Sequence, residues 1–183
     1  MHIGMLILRL VVGGLMAGHG AQKLFGWFGG HGLAGTGGWF ESLGFRPGRW
    51  MAMVAGMAEV GGGVLLMLGF LTPLGSAAVI GVTAAAALSV HLEKGLWNTE
   101  GGYELPMAYA TVAAALAFSG PARYSLDAAL GLPLRGIAWG LLSIVLGVSG
   151  AMIMNSFRLA SIRLAADSEA TTFIEPGERK RAA

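Results

Sequence analysis

The sequence predicts an all-α integral membrane protein, in which a four-helix transmembrane bundle is followed by a fifth C-terminal transmembrane helix. Hydrophobic residues make up 55% of the 183 positions and charged residues only 12%, with a mean hydropathy of +0.66. A soluble domain carries about 25% charged residues. The apolar residues also gather into long runs, and about 20 such residues are needed for a helix to cross a bilayer.

Five apolar runs are separated by loops, and they extend over 3–25, 50–70, 74–92, 105–118 and 136–157. The fourth run is short and predicts a tilted helix or a locally thinned bilayer. The fifth contains no charge and is the clearest span, and its Gly147 and Gly150 predict a helix contact face. The organisation predicted from these runs is a four-helix membrane domain over 1–130, an additional span over 131–157, and a polar, flexible tail over 158–183.

The segment between the first two runs is rich in glycine and aromatic residues. Its Thr36–Leu43 part predicts a short interfacial helix with Thr36 as the N-cap. Trp39 and Trp50 suit the headgroup layer of the membrane, where aromatic rings are enriched. Five spans place the first loop, the third loop and the tail on the side with most Lys and Arg residues, so the positive-inside rule predicts a cytoplasmic C-terminus.

Composition excludes several kinds of chemistry. The chain has no cysteine, which removes disulfides, thiolate catalysis and iron–sulfur ligation. No pair of histidines is spaced four residues apart on a helix, so a metal site is not predicted. No basic stripe with interleaved aromatic residues is present, and nucleic-acid binding is therefore not expected.

Ionisable residues inside the spans are the main candidates for function. Glu59 lies near the centre of the second span, where a charged side chain costs about 2.5–3.5 kcal/mol on insertion scales unless it is paired. Its candidate partners are Arg9 and His19 in the first span. His19 and Lys23 are four residues apart and therefore share one helix face. The simpler alternative is that such a pair only locks two helices together.

The ends of the first and third spans lie on the same side of the membrane. Polar side chains from both ends therefore reach similar depth, and they are His19, Gln22, Lys23 and His91. Above them lies a predicted cap of Trp27, His31, Trp97 and Glu104. Such a pocket suits a quinone headgroup, whose carbonyls need donors such as His or Lys, while Glu59 or Glu104 could relay a proton. Alternatively, the histidines only satisfy backbone carbonyls and the aromatic rings only anchor the interface.

A haem held between His19 and His91 is a weaker alternative. Two histidines at similar depth on separate helices are the required arrangement. However, two histidines arise easily by chance, and a haem also needs a wide apolar slot. A quinone is therefore the only cofactor that we carry forward.

Several motifs together resemble the DoxX family over about residues 5–130. They are Arg9-Leu10, Gly18-His19-Gly20-Ala21-Gln22-Lys23-Leu24-Phe25, Phe28-Gly29-Gly30, Gly56-Met57-Ala58-Glu59-Val60-Gly61-Gly62-Gly63, His91-Leu92-Glu93-Lys94-Gly95, Trp97, Gly101-Gly102-Tyr103-Glu104 and Gly120-Pro121-Ala122-Arg123-Tyr124-Ser125-Leu126-Asp127. The sequence departs from the family in its fifth span and tail, and in Leu96, where the family often has Phe.

The resemblance implies a four-helix membrane bundle associated with redox chemistry in bacterial and archaeal plasma membranes. Some members of the wider group resemble small subunits of thiosulfate:quinone oxidoreductase, and others associate with oxidative-stress proteins. The family's repeated positions correspond here to Arg9, His19, Gln22, Lys23, Glu59, His91, Trp97, Gly102, Glu104, Ser125 and Asp127.

We therefore expect a bilayer-embedded subunit of a redox complex that binds a quinone near one membrane face. His19, Lys23 and His91 are the expected headgroup donors, Glu59 and Glu104 the proton carriers, and Arg9 the charge partner of Glu59. A partner subunit would supply the electrons, and whether this chain is itself an enzyme stays open. The alternatives are a non-catalytic scaffold or assembly factor and, less well supported because no internal repeat is evident, a small-molecule carrier.

Overall fold

A computed structural model describes residues 2–178, which form seven α-helices and no strand within that range. The helices are α1 (His2–Phe25), α2 (Gly32–Ser42), α3 (Gly48–Leu68), α4 (Thr72–Ala86), α5 (Glu104–Ser119), α6 (Leu126–Ala129) and α7 (Ile137–Glu178). The helix α4 continues through a π-helical turn, Ala87–His91, and a 3-10 turn, Leu92–Lys94.

Four helical segments of the described chain are long and apolar enough to cross a membrane: His2–Phe25, Gly48–Leu68, Thr72–Lys94 and Ile137–Ser168. They confirm the predicted all-helical membrane fold. The helix α5 corresponds to the short fourth run and has 16 residues, a length of about 24 Å against a hydrocarbon core of about 30 Å. That α5 crosses the whole bilayer stays a prediction.

Glycines bring α1 and α3 into backbone contact. A Cβ atom added at Gly13 would lie 2.5 Å from the carbonyl oxygen of Gly63, and one added at Gly20 would lie 2.6 Å from that of Gly56. These two contacts run in opposite directions along the two helices, which are therefore antiparallel. Close backbone approach through small residues is typical of membrane helix pairs. It fixes the register that brings the centre of α3 beside the second half of α1.

Gly13→Val is expected to lower the free energy of unfolding by about 2 kcal/mol, because its side chain would overlap the backbone of α3. The matched control is Gly14→Val, since a Cβ atom at Gly14 would meet nothing within 4 Å. Unfolding of the purified protein in one detergent would measure both. Equal destabilisation of the two variants would show that helix propensity, rather than packing against α3, accounts for the loss.

The helix α4 lies at the centre of the bundle and packs against α3, α5 and α7. Its core side chains are small or β-branched and include Val79 and Ile80, which join Met16, Leu66 and Leu116 in the buried apolar cluster. The predicted contact face of α7 is confirmed at Gly147, whose added Cβ atom would lie 2.8 Å from the carbonyl oxygen of Ala77. The helix α7 therefore packs directly against α4.

Two predicted boundaries differ from the structure. The interfacial helix exists, but it begins at Gly32, so the assignment of Thr36 as its N-cap was wrong and Thr36 is a buried interior residue. The helix α7 does not end near Phe157 but continues to Glu178, because the residues beyond it are mostly good helix formers without an early glycine or proline. The tail ends in a basic sequence that includes Arg179, Lys180 and Arg181, and these residues lie outside the part of the chain that the structure describes.

Candidate ligand-binding cavity

An ion pair between α1 and α3 is the centre of the candidate site. The ammonium nitrogen of Lys23 donates to both carboxylate oxygens of Glu59, at 2.8 Å to Oε1 and 2.7 Å to Oε2. Helical side chains lean toward the N-terminus of their own helix. Because the two helices are antiparallel, these two side chains lean toward each other and meet between their backbone positions.

The expected pairing of Glu59 with Arg9 was wrong. Arg9 lies 14 positions before Lys23 on the same helix, which is about 21 Å along the helix axis. Its guanidinium group is buried and donates to the carbonyl oxygens of Pro121 and Tyr124, at the opposite end of the bundle. Arg9 is therefore not part of the cavity that contains Glu59.

Hydrogen-bond partners at Nδ1 orient the rings of the two candidate histidines. His91 Nδ1 lies 2.6 Å from the carbonyl oxygen of Gly101, which can only accept, so Nδ1 carries a proton. His19 Nδ1 lies 3.3 Å from Oε1 of Gln22, whose amide nitrogen donates to the carbonyl oxygen of Phe28. In each neutral ring Nε2 is then an acceptor, whereas the sequence-based expectation was that both histidines donate to a ligand.

One cavity of about 600 Å³ contains the ion pair and both histidine rings. Its polar side chains come from α1, α3, α4 with the turn that continues it, the segment leading into α5, and α5 itself. The residues that α7 contributes are apolar or glycine. They are Leu146, Gly147, Gly150, Ala151, Ile153 and Met154. The cavity therefore combines a polar region with an apolar wall.

The cavity reaches the outer surface of the bundle between α3 and α7. Val54, Leu146 and Ile153 line it and are 49%, 52% and 56% exposed, so they also face the surroundings of the protein. Small residues of α4, among them Ala78 and Gly81, line it between the two helices. In a bilayer this opening faces lipid rather than water.

The structure brings four of the predicted site residues to this cavity: His19, Lys23, Glu59 and His91. Gln22 does not line it but orients the ring of His19. Glu104 accepts a hydrogen bond from the backbone nitrogen of Asn98 at 2.9 Å and thereby holds the loop before α5. Trp97 is 62% exposed and, like Glu104, is not among the lining residues.

Several polar lining residues were missed in the sequence, and they are Thr83, Ser89, Asn98 and Tyr109. Tyr109 presents its ring edge-on to His19, with 6.1 Å between ring centroids, and Asn98 lies in the loop held by Glu104. A signal for Tyr109 was available, because it is the single tyrosine within the mostly apolar fourth run and lies four residues after Leu105. The spacing places both on the same face of α5.

Residues 4–92 match the DoxX family. This stretch is similar to a DoxX domain. It contains α1 to α4, and His19, Lys23, Glu59 and His91 of the cavity all belong to it. The apolar wall from α7 lies beyond the matched residues. No curated protein and no solved structure matched the chain.

Proposed function

We propose that this DoxX membrane protein is a subunit of a membrane redox complex, related to the thiosulfate:quinone oxidoreductase group, and that it binds a quinone in the cavity. The observation that carries the proposal is the composition of that cavity. It joins a Lys–Glu pair and two histidines to an apolar wall that opens toward lipid. A quinone has the matching parts, a polar ring and an apolar tail.

The polar region has partners for both redox forms of the headgroup. Lys23 directs two bonds to Glu59, which leaves one N–H of its ammonium group for a carbonyl oxygen. His19 and His91, as neutral rings, can each accept at Nε2 from a hydroxyl group. When bound, a quinone supplies two-electron, two-proton chemistry. The carboxylate of Glu59 would hold a proton inside the cavity. Glu104 does not line the cavity but bonds the backbone of Asn98, which does.

The apolar wall suits the tail of the same molecule. Ligand cavities commonly measure about 300–1,000 Å³, so the observed 600 Å³ accommodates a ring and part of a chain. A tail that follows α7 leaves the bundle between α3 and α7, where the lining side chains are exposed. The electrons would come from a partner subunit, since this chain has no cysteine with which to ligate an iron–sulfur cluster or form a redox disulfide.

Mass spectrometry of organic extracts from the gently purified full chain tests the proposal. We expect the wild type to retain a quinone and His19→Ala to retain about tenfold less, the effect of losing roughly 1.4 kcal/mol of binding. Gly150→Leu should exclude a long-tailed quinone but still bind a short-chain analogue, because it fills the apolar wall in a place where an added Cβ atom meets nothing within 4 Å.

His31→Ala is the matched control, because His31 is exposed and does not line the cavity. It should retain as much quinone as the wild type. The proposal fails if the wild type carries no quinone, or if His31→Ala and His19→Ala lose it equally. A Gly150→Leu variant that binds long and short tails alike would reject the path along α7 while leaving the headgroup site in place.

A scaffold or assembly factor is the second candidate. It is favoured because Lys23 already bonds both carboxylate oxygens of Glu59. Both carboxylate oxygens already have a partner within the protein, so the pair can lock α1 to α3 without any ligand. In that case the extracts contain no quinone, and His19→Ala recovers the same accompanying proteins as the wild type. Analysing proteins and lipophilic molecules in one purification separates the two candidates.

A further inference from the structure

A second cavity, of about 300 Å³, lies where α7 passes the turn between α2 and α3. Two guanidinium groups line it, from Arg46 in the turn and Arg158 in α7. The wall between them is closely packed, since a Cβ atom at Gly44 would lie 2.5 Å from Cγ1 of Ile162. The pocket is therefore built by contacts between two distant parts of the chain.

The protein holds Arg158 in place without using all of its donors. Its Nε atom donates to the carbonyl oxygen of Leu43 at 2.7 Å, and one terminal nitrogen lies 3.3 Å from Oδ1 of Asn155. The guanidinium carbon lies 6.0 Å from the centroid of the Phe45 ring. A guanidinium group has five N–H donors, so three have no acceptor among the described residues and are open to another one.

The charge of the pocket is positive. Arg46 makes no hydrogen bond or ion pair with the described part of the chain. Among the described residues that line the pocket, Glu41 is the only acidic one, and its Oε1 accepts a hydrogen bond from the backbone nitrogen of Gly48 at 3.1 Å. Two guanidinium groups therefore face a pocket in which the single carboxylate is engaged by the start of α3.

The depth of the pocket coincides with the headgroup layer. Arg158 is the first charged residue after the uncharged run 136–157, which is about as long as a bilayer-spanning segment. Trp39 and Trp50, on the two helices joined by the turn, are 48% and 63% exposed. Aromatic rings at this position are typical of the membrane interface.

We infer that this pocket binds the phosphate of an anionic phospholipid, with Arg46 and Arg158 as its ligands. Basic pockets between helices at the membrane surface bind such headgroups, and guanidinium groups bond phosphate oxygens in pairs. The acyl chains extend along the exposed apolar residues of α7 that precede Arg158, such as Phe157 and Ile153. The inference does not depend on quinone binding.

The test is native mass spectrometry of the delipidated full chain, titrated with phosphatidylglycerol, phosphatidylcholine or inorganic phosphate. We expect phosphatidylglycerol to bind about tenfold more tightly than phosphatidylcholine and to stay bound in millimolar inorganic phosphate. Arg46→Gln and Arg158→Gln should each weaken phosphatidylglycerol about fivefold, which corresponds to roughly 1 kcal/mol per basic residue.

Arg163→Gln is the matched control, since it removes the same charge from the exposed next turn of α7 and Arg163 does not line the pocket. An equal loss in Arg163→Gln and Arg46→Gln would overturn the inference, because general attraction would then explain binding. Displacement of the lipid by inorganic phosphate would overturn it in favour of a soluble anion. Arg46→Gln is the decisive variant, because Arg46 makes no bond with the described residues whose loss could unfold the turn.

Discussion

Lys23→Met is expected to lower the free energy of unfolding by about 3 kcal/mol. Glu59 is buried, and Lys23 supplies the hydrogen bonds to both of its oxygens. Removing one partner of a buried ion pair leaves the other charge without compensation, which typically costs about 3–5 kcal/mol. We place the effect at the lower end because the Lys23 side chain is 22% exposed. Chemical unfolding of the purified protein in a fixed detergent measures it.

A double-mutant cycle shows whether the pair itself is the cause. Glu59→Gln should also destabilise the protein, whereas Lys23→Met combined with Glu59→Gln should recover much of the loss, because no charge is then left alone. Lys94→Met, at an exposed lysine at the end of the segment that continues α4, should have little effect. Strictly additive losses in the double variant would refute a direct interaction between the two side chains.

The membrane fold could be predicted because it depends on length and composition. Each apolar run corresponds to a helix, since a chain in a bilayer must satisfy its backbone groups within the segment. The sequence also predicted the short helix α2, but not the residue at which it begins. No side chain caps its N-terminus, so the boundary leaves no capping residue in the sequence.

The partner of Glu59 could not be predicted from helix depth alone. Counting residues places Lys23 near the membrane surface and Glu59 near its centre, which disfavours this pair. Lys23 and Glu59 nevertheless meet, because both side chains lean toward the N-termini of their helices and because the glycine contacts of α1 with α3 set the register. Both effects depend on how two helices pack, and neither is visible in one helix.

The polar half of the cavity was predictable and the apolar half was not. His19, Lys23 and His91 converge because the first and third spans end on the same side of the membrane. The wall from α7 depends instead on the order of helices around α4, which the sequence does not specify. The sequence predicts the fifth span as a helix added to the four-helix bundle, whereas in the structure this helix forms one wall of the cavity.

Asp127→Ala is expected to cost about 4 kcal/mol, more than Lys23→Met. Asp127 is fully buried and accepts from the backbone nitrogens of Leu71 and Thr72 at 2.7 and 3.0 Å and from the Thr72 hydroxyl at 2.7 Å. Bonds to a charged group contribute about 1.5–3 kcal/mol each, and they are not additive. Its carboxylate also attracts the buried guanidinium group of Arg9.

Asp127→Asn should lose less than Asp127→Ala, because the amide keeps one acceptor oxygen for the turn between α3 and α4. Glu100→Ala, an exposed acidic residue in the loop before α5, is the surface control and should change little. Unfolding in detergent again provides the measurement. An Asp127→Ala protein as stable as the Glu100→Ala control would contradict a structural role for this carboxylate.

The charge interactions of Arg9 and Lys23, the two charged residues of α1, should differ in what else their loss affects. Arg9, with Asp127, joins α1 to the turn after α3 and the loop after α5, at the opposite end of α1 from the cavity. Asp127→Ala should therefore lower stability while each folded chain retains as much of the proposed quinone as the wild type. Lys23→Met should change both stability and ligand content, because Lys23 lines the cavity. Measuring ligand per folded chain in both variants separates a charge that only holds helices together from one that also serves a binding site.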